Sequence, residues 1–432
     1  MTIAGLTDES VTAETLGVRL ARAKVRRRRG WKIAGAIAVA TLALLVIAYL
    51  VVDAVDRQVG EAAIARVRAA GDPVTPRELE AFYVSSPEIE RATHHWKRAF
   101  KAVESGDTTA ALGETRLARE AGAVGRFPRS LDETDSELTL EHLEGLSSVM
   151  HYLKGRPRIH ASVGDIDEAA ETLLDMVAVN EALRNEPVGS SFLSRCSLLG
   201  TASSDAIQTL GNCQYDEEHL TAIQHASERQ NLHAHLLHAM RGEQALVLQA
   251  YDRGIAGAPD LERIRKLPFR GGDRAKAVEW FQAYLKGAEG GWAETAQATD
   301  DADAMLEEIL DSTFDTFRYS FGTHRMHYPA MLLDCAQRTQ TDANVVVALA
   351  ARRRYRLANG EWPESLEALV PKYLSAVPVD PIAVQPLAYE RDGDVIRFRT
   401  QAYTTDFTYI KLPYLDSTGR HVFDAASFET AE

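Results

Sequence analysis

The chain has 432 residues, of which 45% are hydrophobic, so it is long enough for one large domain or two ordinary ones. Its formal net charge is −14, but residues 1–32 carry 8 Lys and Arg against 3 acids, which leaves a balance of −19 on the remainder. An acidic body repels phosphates, which argues against a nucleic-acid partner. Three cysteines exclude a disulfide-stapled scaffold.

A run of 20 residues from Ile33 to Val52 contains no charged side chain. As a helix it would be about 30 Å long, which matches the hydrocarbon thickness of a bilayer. A cleaved signal peptide is the alternative, but its apolar region is usually about 7–15 residues and ends at a small-x-small site. Residues 49–55 offer bulky or charged side chains at most of those positions. The pattern therefore favours an uncleaved transmembrane helix over residues 33–52.

The charges on either side of this run predict its orientation. The flank after it contains Asp53, Asp56 and Arg57, whereas the flank before it is strongly basic, with Arg19, Arg22, Lys24, Arg26, Arg27, Arg28, Arg29 and Lys32. This asymmetry predicts a cytoplasmic N-terminus and a body on the far side of the membrane, after Asp53. Membrane lipid is thus a predicted partner, through residues 33–52 and through the basic tail of residues 1–32, which attracts anionic headgroups.

Residues 53–340 are predicted to form an extracytoplasmic α-helical body, because helix-start and helix-stop signals recur along them. Thr75 and Glu78 have the spacing of a capping box, and Ser86 precedes Pro87 in similar chemistry. The body is therefore expected to begin with short, individually capped helices.

Two glycine–aspartate pairs, Gly106-Asp107 and Gly164-Asp165, predict helix–turn–helix joints. Each glycine can take the left-handed conformation that ends one helix, and each aspartate can cap the next. Their separation is 58 residues, unlike the roughly 34 of tetratricopeptide repeats, and the Trp-Leu-Gly-Tyr pattern of those repeats is absent. An irregular helical bundle or a short solenoid is therefore expected.

The remaining helices of the body are predicted from apolar residues that recur at three- and four-residue steps. The predicted ranges are 138–162, 166–185, 190–211, 217–252, 274–286 and 300–320. Residues 255–273, which include Gly271 and Gly272, are predicted to be a loop, and Gly287–Gly291 a second break.

Residues 341–432 are predicted to form a small α+β module. Val345–Asn359 has the pattern of a helix ended by Gly360, and Pro363 is expected to start another. The valines of the first helix are expected to pack on the body. Its arginines have the pattern of a solvated helix face, directed towards acids or water, and a docking surface is the alternative for this set: Arg352, Arg353, Arg354 and Arg356.

Strands are predicted only in this module. Leu387–Arg391 and Val395–Arg399 flank an Asp-Gly turn, which is typical of a β-hairpin. Phe407–Leu412 is expected to add a third strand.

The same module carries a family resemblance. The segment Tyr355–Leu366 resembles the "Y-x-L-x-x-G-x-Y/W-P-x-x-L" stretch of type II secretion major pseudopilins, and Val377–Pro381 and Pro386–Tyr389 resemble their proline turns. The likeness covers about 50 of 432 residues and implies a pseudopilin-like fold there. The leader, peptidase site and methylatable phenylalanine of pseudopilins have no counterpart, and the predicted anchor lies some 300 residues before the module. The resemblance therefore does not imply membership of a secretion filament.

Taken whole, the chain resembles a group of uncharacterised bacterial membrane-anchored proteins with one N-terminal span, a helical body and a Gly-x-aromatic-Pro tail. Two further segments fit that plan, Ala69–Thr75 and Arg241–Ala245. With the predicted orientation, this likeness implies a single-pass protein of the bacterial inner membrane with a periplasmic body, and it implies no activity.

Histidine pairs and triplets are the most metal-like pattern. His233, His235 and His238 lie within six residues, but on a helix His233 points about 160° away from His235, and no His-Glu-x-x-His string supplies further ligands. The pairs His324/His327 and His94/His95 are equally incomplete. No metal site is predicted.

Nucleophilic catalysis has an equally weak signature. Cys196 lies among Ser190, Ser191, Ser194 and Ser197, without a Gly-x-Ser-x-Gly elbow. Phosphate-binding glycine loops are absent. Cys196 and Cys213 are close enough in sequence for a disulfide, and three buried free thiols, with Cys335, are the alternative.

Acidic residues are abundant near the predicted helix start at residue 300, where they would complement the helix dipole. They are Asp300, Asp301, Asp303, Glu307 and Glu308.

These patterns predict a mainly α protein with no recognisable catalytic, cofactor-binding or metal residue. The expected function is that of a membrane-anchored extracytoplasmic structural or interaction protein with a protein partner. The alternatives are an accessory component of a secretion or pilus-like envelope apparatus, and an extracytoplasmic hydrolase whose site is not visible in the sequence.

Overall fold

A computed structural model describes residues 8–80, 84–127, 141–253, 270–319, 328–392, 395–400 and 408–409. The predicted mainly α class is confirmed. The helices are α1 Asp8–Ala69, α2 Pro76–Glu80, α3 Pro87–Glu104, α4 Thr108–Glu120, α5 Glu141–Leu153, α6 Arg156–Ser162, α7 Ile166–Glu181, α8 Gly189–Asn212, α9 Glu217–Glu228, α10 Leu232–Arg253, α11 Arg270–Gly287, α12 Trp292–Asp311, α13 Thr313–Arg318 and α14 Tyr328–Asn359. Short 3₁₀ turns lie at Ala288–Gly290 and Glu367–Leu369.

The predicted helix caps are present. The Thr75 hydroxyl accepts the Glu78 amide (3.2 Å), while the Glu78 carboxylate accepts the amide of Val74 (2.8 Å). Asp107 and Asp165 accept the amides that open α4 and α7. The preceding glycines, at residues 106 and 164, have φ values of 74° and 84°, as left-handed stops require.

Two of the predicted helices are each divided into two helices, at positions that the apolar periodicity did not indicate. The 138–162 range breaks before α6 at Gly155, whose φ is 78°. The 217–252 range breaks between α9 and α10, because the Asn231 side chain accepts the Ala234 amide (3.0 Å) and starts a new helix. The predicted starts at residues 274 and 300 were late, since α11 begins at Arg270 and α12 at Trp292.

The α1 helix contains the predicted span. Within the described residues, Lys24–Ala69 is the one helical stretch long and apolar enough to cross a membrane, and none of its apolar window is buried in the protein. After Val52 the same helix continues without interruption and packs along α11. The apolar run and the body therefore share one helix.

The helical body is built around two large apolar cores. The first joins α3–α9 to residues 345–351 and to the C-terminal segment. The second lies between α8, α10, α11, α12 and the start of α14. Because α14 is 32 residues long, it contributes to both cores.

The start of the predicted C-terminal module, residue 341, lies inside α14. The predicted packing of the valine face is confirmed, since Val345, Val346 and Leu349 are 0–1% exposed in the first core. They pack on α8 and α9. Beyond α14, the helix expected from Pro363 is only the 3₁₀ turn Glu367–Leu369.

The strands form two small antiparallel sheets. Val379–Asp380 (β1) pairs with Gln385–Pro386 (β2), and Ala388–Asp392 (β3) pairs with Val395–Thr400 (β4) from Ala388 opposite Arg399 to Asp392 opposite Val395. This confirms the predicted hairpin. Thr408–Tyr409 (β5) pairs with β4, where a third strand was predicted; the rest of residues 407–412 lies outside the described residues.

Candidate functional site

The three histidines of α10 are divided between different partners. His233 Nε2 lies 2.8 Å from the Thr295 hydroxyl, His235 Nε2 lies 3.1 Å from the Glu186 carbonyl, and His238 Nε2 lies 3.3 Å from the Asn185 carbonyl. Burial lowers the pKa of each of the three imidazoles. In the described ranges, no three His, Cys, Asp or Glu side chains are grouped so that they could hold a metal ion.

The other histidine pairs give no shared site. His95 lies 2.8 Å from the Glu114 carboxylate, and the ring of His94 meets that of His95 edge-on, at 5.8 Å between centroids. His324 and His327 lie outside the described residues.

A buried polar network surrounds Arg195, a residue that sequence reasoning missed. Its side chain is 1% exposed and donates to Asn180 (3.1 Å), Glu181 (3.0 Å), Gln230 (3.1 Å) and His235 (2.9 Å). These partners come from α7, the α9–α10 turn and α10, so the arginine joins three segments. Its neighbours in sequence are serines and a cysteine, which gave no signal of such a role.

The thiols are free, so Cys196 and Cys213 are not joined by a disulfide. Cys196 is buried, whereas Cys213 and Cys335 are partly exposed. Burial raises the pKa of Cys196 to about 12, which leaves almost no thiolate at neutral pH. A nucleophilic role for Cys196 is not supported by this environment.

The arginines of α14 are not a solvated face, which corrects the first interpretation of that run. Arg352 is 2% exposed, lies over the Trp362 ring at 3.6 Å and donates to the Tyr389 hydroxyl (3.2 Å). Burial lowers its pKa to about 10. Arg353 donates to the Gly211 and Cys213 carbonyls at the end of α8.

The other two arginines of the run also contact this chain. Arg354 pairs with the Glu217 carboxylate (2.8 Å), as expected for an arginine directed towards an acid. Arg356 lies over Trp362 at 4.1 Å. The run is thus an intramolecular docking surface, which was the alternative interpretation.

The junction between the apolar run of α1 and the body is built from close backbone contact. The Asp56 carboxylate of α1 accepts the amides of Gly271 (2.5 Å) and Gly272 (2.7 Å), so it caps α11 from another helix. A Cβ on Gly271 would lie 1.8 Å from the Asp56 carbonyl oxygen, and one on Gly60 would lie 2.9 Å from the Gly271 Cα. Gly271–Asp273 is therefore the start of a helix and not the predicted loop.

The two segments that fitted the anchored-protein plan meet just beyond this junction. Arg241 donates to Asp72 (3.0 Å), and Gln282 of α11 donates to Asp72 (3.0 Å) and to Gln244 (2.9 Å). A Cβ on Gly242 would lie 1.5 Å from the Pro187 carbonyl oxygen. The segment after α1 is thus tied to both α10 and α11.

A cleft of about 220 Å³ lies between α11 and α12. Its lining is mostly small or aromatic, and its three polar residues on α12 are Glu294, Gln297 and Asp301. The other lining residues are Trp280, Ala283, Tyr284, Gly287, Ala298, Ala302 and Met305. Tyr284 is 1% exposed, and burial raises its pKa to about 12. Its buried hydroxyl lies near the Thr299 hydroxyl, which donates to the Thr295 carbonyl (2.8 Å) and can still accept a hydrogen bond.

The α12 helix carries seven acids and no Lys or Arg in 20 residues. Because it begins at Trp292, the interpretation of its acids as helix-start residues is wrong. Asp300–Asp303 lie in mid-helix, and Glu307, Glu308 and Asp311 lie towards the C-terminal end, where negative charge opposes the dipole.

Comparison with protein-family models, with curated proteins and with solved structures finds no match to this chain. The function is therefore argued from the residues and their geometry.

Proposed function

We propose that this chain is a single-pass membrane protein whose helical body acts outside the cytoplasm as a structural or interaction module. The observation that carries the proposal is the exposed apolar part of α1, which continues as one helix into the junction at Asp56 and Gly271. Every side chain from residue 33 to residue 52 is exposed. A bare apolar surface of this size marks a membrane or protein interface, and a bilayer covers a lone apolar helix on all sides.

The junction supports attachment of the body close to the bilayer surface. Asp56 follows the apolar run by four residues, which is about 6 Å along a helix. Gly60, Gly271 and Gly272 leave little room for movement between the two helices. The basic flank before Ile33 supports an inner-membrane orientation with the N-terminus in the cytoplasm and the body in the periplasm.

Membrane attachment is tested with arginines placed inside the apolar run. Leu44→Arg with Leu45→Arg should move the chain from the membrane fraction to the soluble or aggregated fraction, since each charge is costly in hydrocarbon. Val59→Arg is the matched control, because Val59 is 45% exposed on the same helix but lies beyond the run. Equal membrane recovery of both variants would contradict the proposed anchor.

Orientation is tested separately. Protease added to intact spheroplasts should digest the body and leave residues 1–32 protected. Digestion of the basic tail alone would reverse the topology and remove the extracytoplasmic role.

The polar groups of the described residues support an interaction role better than catalysis. His235 and the arginines of α14 contact other parts of the same chain, whereas the acids of α12 are exposed or partly exposed. Affinity isolation from detergent-solubilised membranes should recover a protein partner. Recovery of the chain alone, at near-physiological salt and with cross-linking, would contradict this role.

The secretion-apparatus alternative rests on the pseudopilin-like segment. Its Trp362 and Tyr389 contact Arg352 within the chain. Those side chains are therefore engaged in internal packing, and we retain the secretion role only as the second proposal.

A further inference from the structure

The size of the α11–α12 cleft limits what it can hold. Its volume is about 220 Å³, below the roughly 300–1,000 Å³ of typical small-molecule sites. The apolar lining from Ala283, Ala298 and Met305 is suited to a hydrocarbon stem. A single long side chain from another protein fits these features better than a free metabolite does.

A polar group at the cleft indicates which chemical group should lie at the end of the bound side chain. Asp301 lies on the rim, where its carboxylate accepts from Gln297 (2.8 Å) and keeps further acceptor capacity. A carboxylate at the rim of an apolar cleft suits a cationic N–H donor on an apolar stem, which describes lysine or arginine.

The charge around the cleft extends this preference to a longer segment. The acids of α12 are exposed or partly exposed, and none forms an ion pair with a described residue: Glu294, Asp300, Asp301, Asp303, Glu307, Glu308 and Asp311. Like charges three or four residues apart on a helix repel one another. A basic segment lying along α12 would relieve that repulsion.

The position of the cleft excludes two possible occupants, the basic N-terminal tail of the same chain and the lipid headgroups of the bilayer. The α1 and α11 helices run parallel, because Gly271 meets Asp56 while Val278 packs with Ala63 and Val67. Trp280 is therefore about 14 Å further along α11 than Gly271, on the side away from the apolar run. Lys32 lies about 36 Å before Asp56 on the same helix. Neither the basic tail nor the bilayer surface reaches the cleft.

We propose that the α11–α12 cleft receives one lysine or arginine side chain from a basic segment of a protein partner, while the α12 carboxylates bind neighbouring cations of that segment. This deepens and rests on the proposed interaction role by naming the class of partner. It does not depend on membrane insertion, so the two can fail separately.

The probe is a fluorescently labelled peptide of alternating lysine and alanine, titrated into the purified full chain in detergent micelles. A peptide with glutamate in place of lysine should not bind. Binding should weaken as salt is raised, since exposed charges are screened.

Three substitutions separate the cleft from general charge. Asp301→Asn should weaken binding about threefold to fivefold, whereas Asp300→Asn, the same change one residue away and outside the cleft lining, should alter it less than about twofold. Ala283→Leu, which fills the cleft without changing charge, should weaken it about tenfold. Circular dichroism of each variant checks that the fold is kept.

Equal loss from Asp300→Asn and Asp301→Asn, or undiminished binding by folded Ala283→Leu, would overturn the cleft proposal and leave only non-specific attraction. Recovery of a partner from membranes whose binding is unaffected by these changes would likewise overturn it, while the proposed interaction role would stand. If the cleft variants bind the peptide less tightly but no protein partner is recovered from membranes, the result would support the cleft proposal and contradict the proposed interaction role.

Discussion

The arginine run of α14 and the acidic residues of α12 are similar in sequence and opposite in structure. Each is a cluster of like charges on a helix, and each was first given an ordinary local interpretation. Arg352 is buried under Trp362, whereas Asp301 is exposed at the edge of a cleft. A guanidinium is weakly hydrated and stacks on aromatic rings, while a short carboxylate needs cations or amide donors. The difference shows that an arginine in a charged run can be buried against aromatic rings of its own chain, whereas the carboxylates of α12 stay at the surface.

The largest effect is expected from removing the part of α14 that carries the arginine run. Truncation after Gln340 removes residues 345–351 from the first core and uncovers apolar surface on α8 and α9. The remaining body should lose cooperative thermal unfolding, measured by circular dichroism. Truncation after Thr400 keeps the buried Phe398 and is expected to lower the melting temperature much less. An unchanged melting temperature after the Gln340 truncation would mean that the C-terminal segment is independent.

The next effect isolates the ring that covers the buried cation. Trp362→Ala should lower the free energy of unfolding by about 3 kcal/mol, because it removes aromatic packing and leaves the Arg352 guanidinium without its stacking partner. Arg356→Ala is the control: Arg356 lies over the same ring but is exposed, so its loss should lower stability by about 0.5 kcal/mol. Urea unfolding of both variants measures the difference, and equal losses would contradict a special role for the buried arginine.

A smaller effect of opposite sign is expected on the acidic helix. Glu307→Gln with Asp311→Asn should raise the free energy of unfolding by about 0.5–1 kcal/mol at low salt, because negative charges near a helix C-terminus oppose the dipole and repel each other. Glu294→Gln, in the first turn of α12, should instead lower it slightly. A thermal shift of the same sign for both changes would show that the dipole is not the cause.

The last expected effect is a change in the pH dependence of stability, and it concerns a carboxylate that is buried, unlike those of α12. Burial raises the pKa of Asp175 from 3.8 to about 6, while Arg119 and Arg116 oppose the rise. The folded state therefore holds this proton more tightly than the unfolded chain does, so the contribution of Asp175 to stability falls as pH rises from about 4 to about 6.

Asp175→Asn should remove that part of the pH dependence. Between pH 4 and pH 6 the slope of its unfolding free energy against pH should differ from that of the parent by up to about 1.4 kcal/mol per pH unit, which corresponds to one proton. Urea unfolding at several pH values measures the slope. Identical slopes in the two proteins would show that the buried carboxylate has an ordinary pKa.

The features that sequence reasoning predicted well are those set by neighbouring residues. The caps at Thr75, Asp107 and Asp165 and the glycine stops before the last two form through contacts within a few residues, so their pattern is readable. The break at Asn231 was missed because apolar periodicity continues across it. The true start of α11 was missed because its cap, Asp56, lies 215 residues away.

The candidate cleft was not predictable from sequence. Trp280 and Ala283 have no motif that joins them to Gln297 or Asp301, and only the turn at Gly287–Gly291 brings α11 and α12 together. A signal was present in the acids of α12, but the predicted helix began eight residues too late. Their position relative to the dipole was therefore misjudged.

The sequence by itself determined the apolar run of α1, the basic flank before it, the mainly helical class and the C-terminal hairpin, since each depends on composition, period or local turn chemistry. Tertiary structure alone decided that Asp56 caps α11, that Arg195 and Arg352 are buried, and that Glu294 and Asp301 of α12 border a cleft. Those outcomes depend on which distant side chains and backbone groups share the same space, and no local pattern along the chain records that.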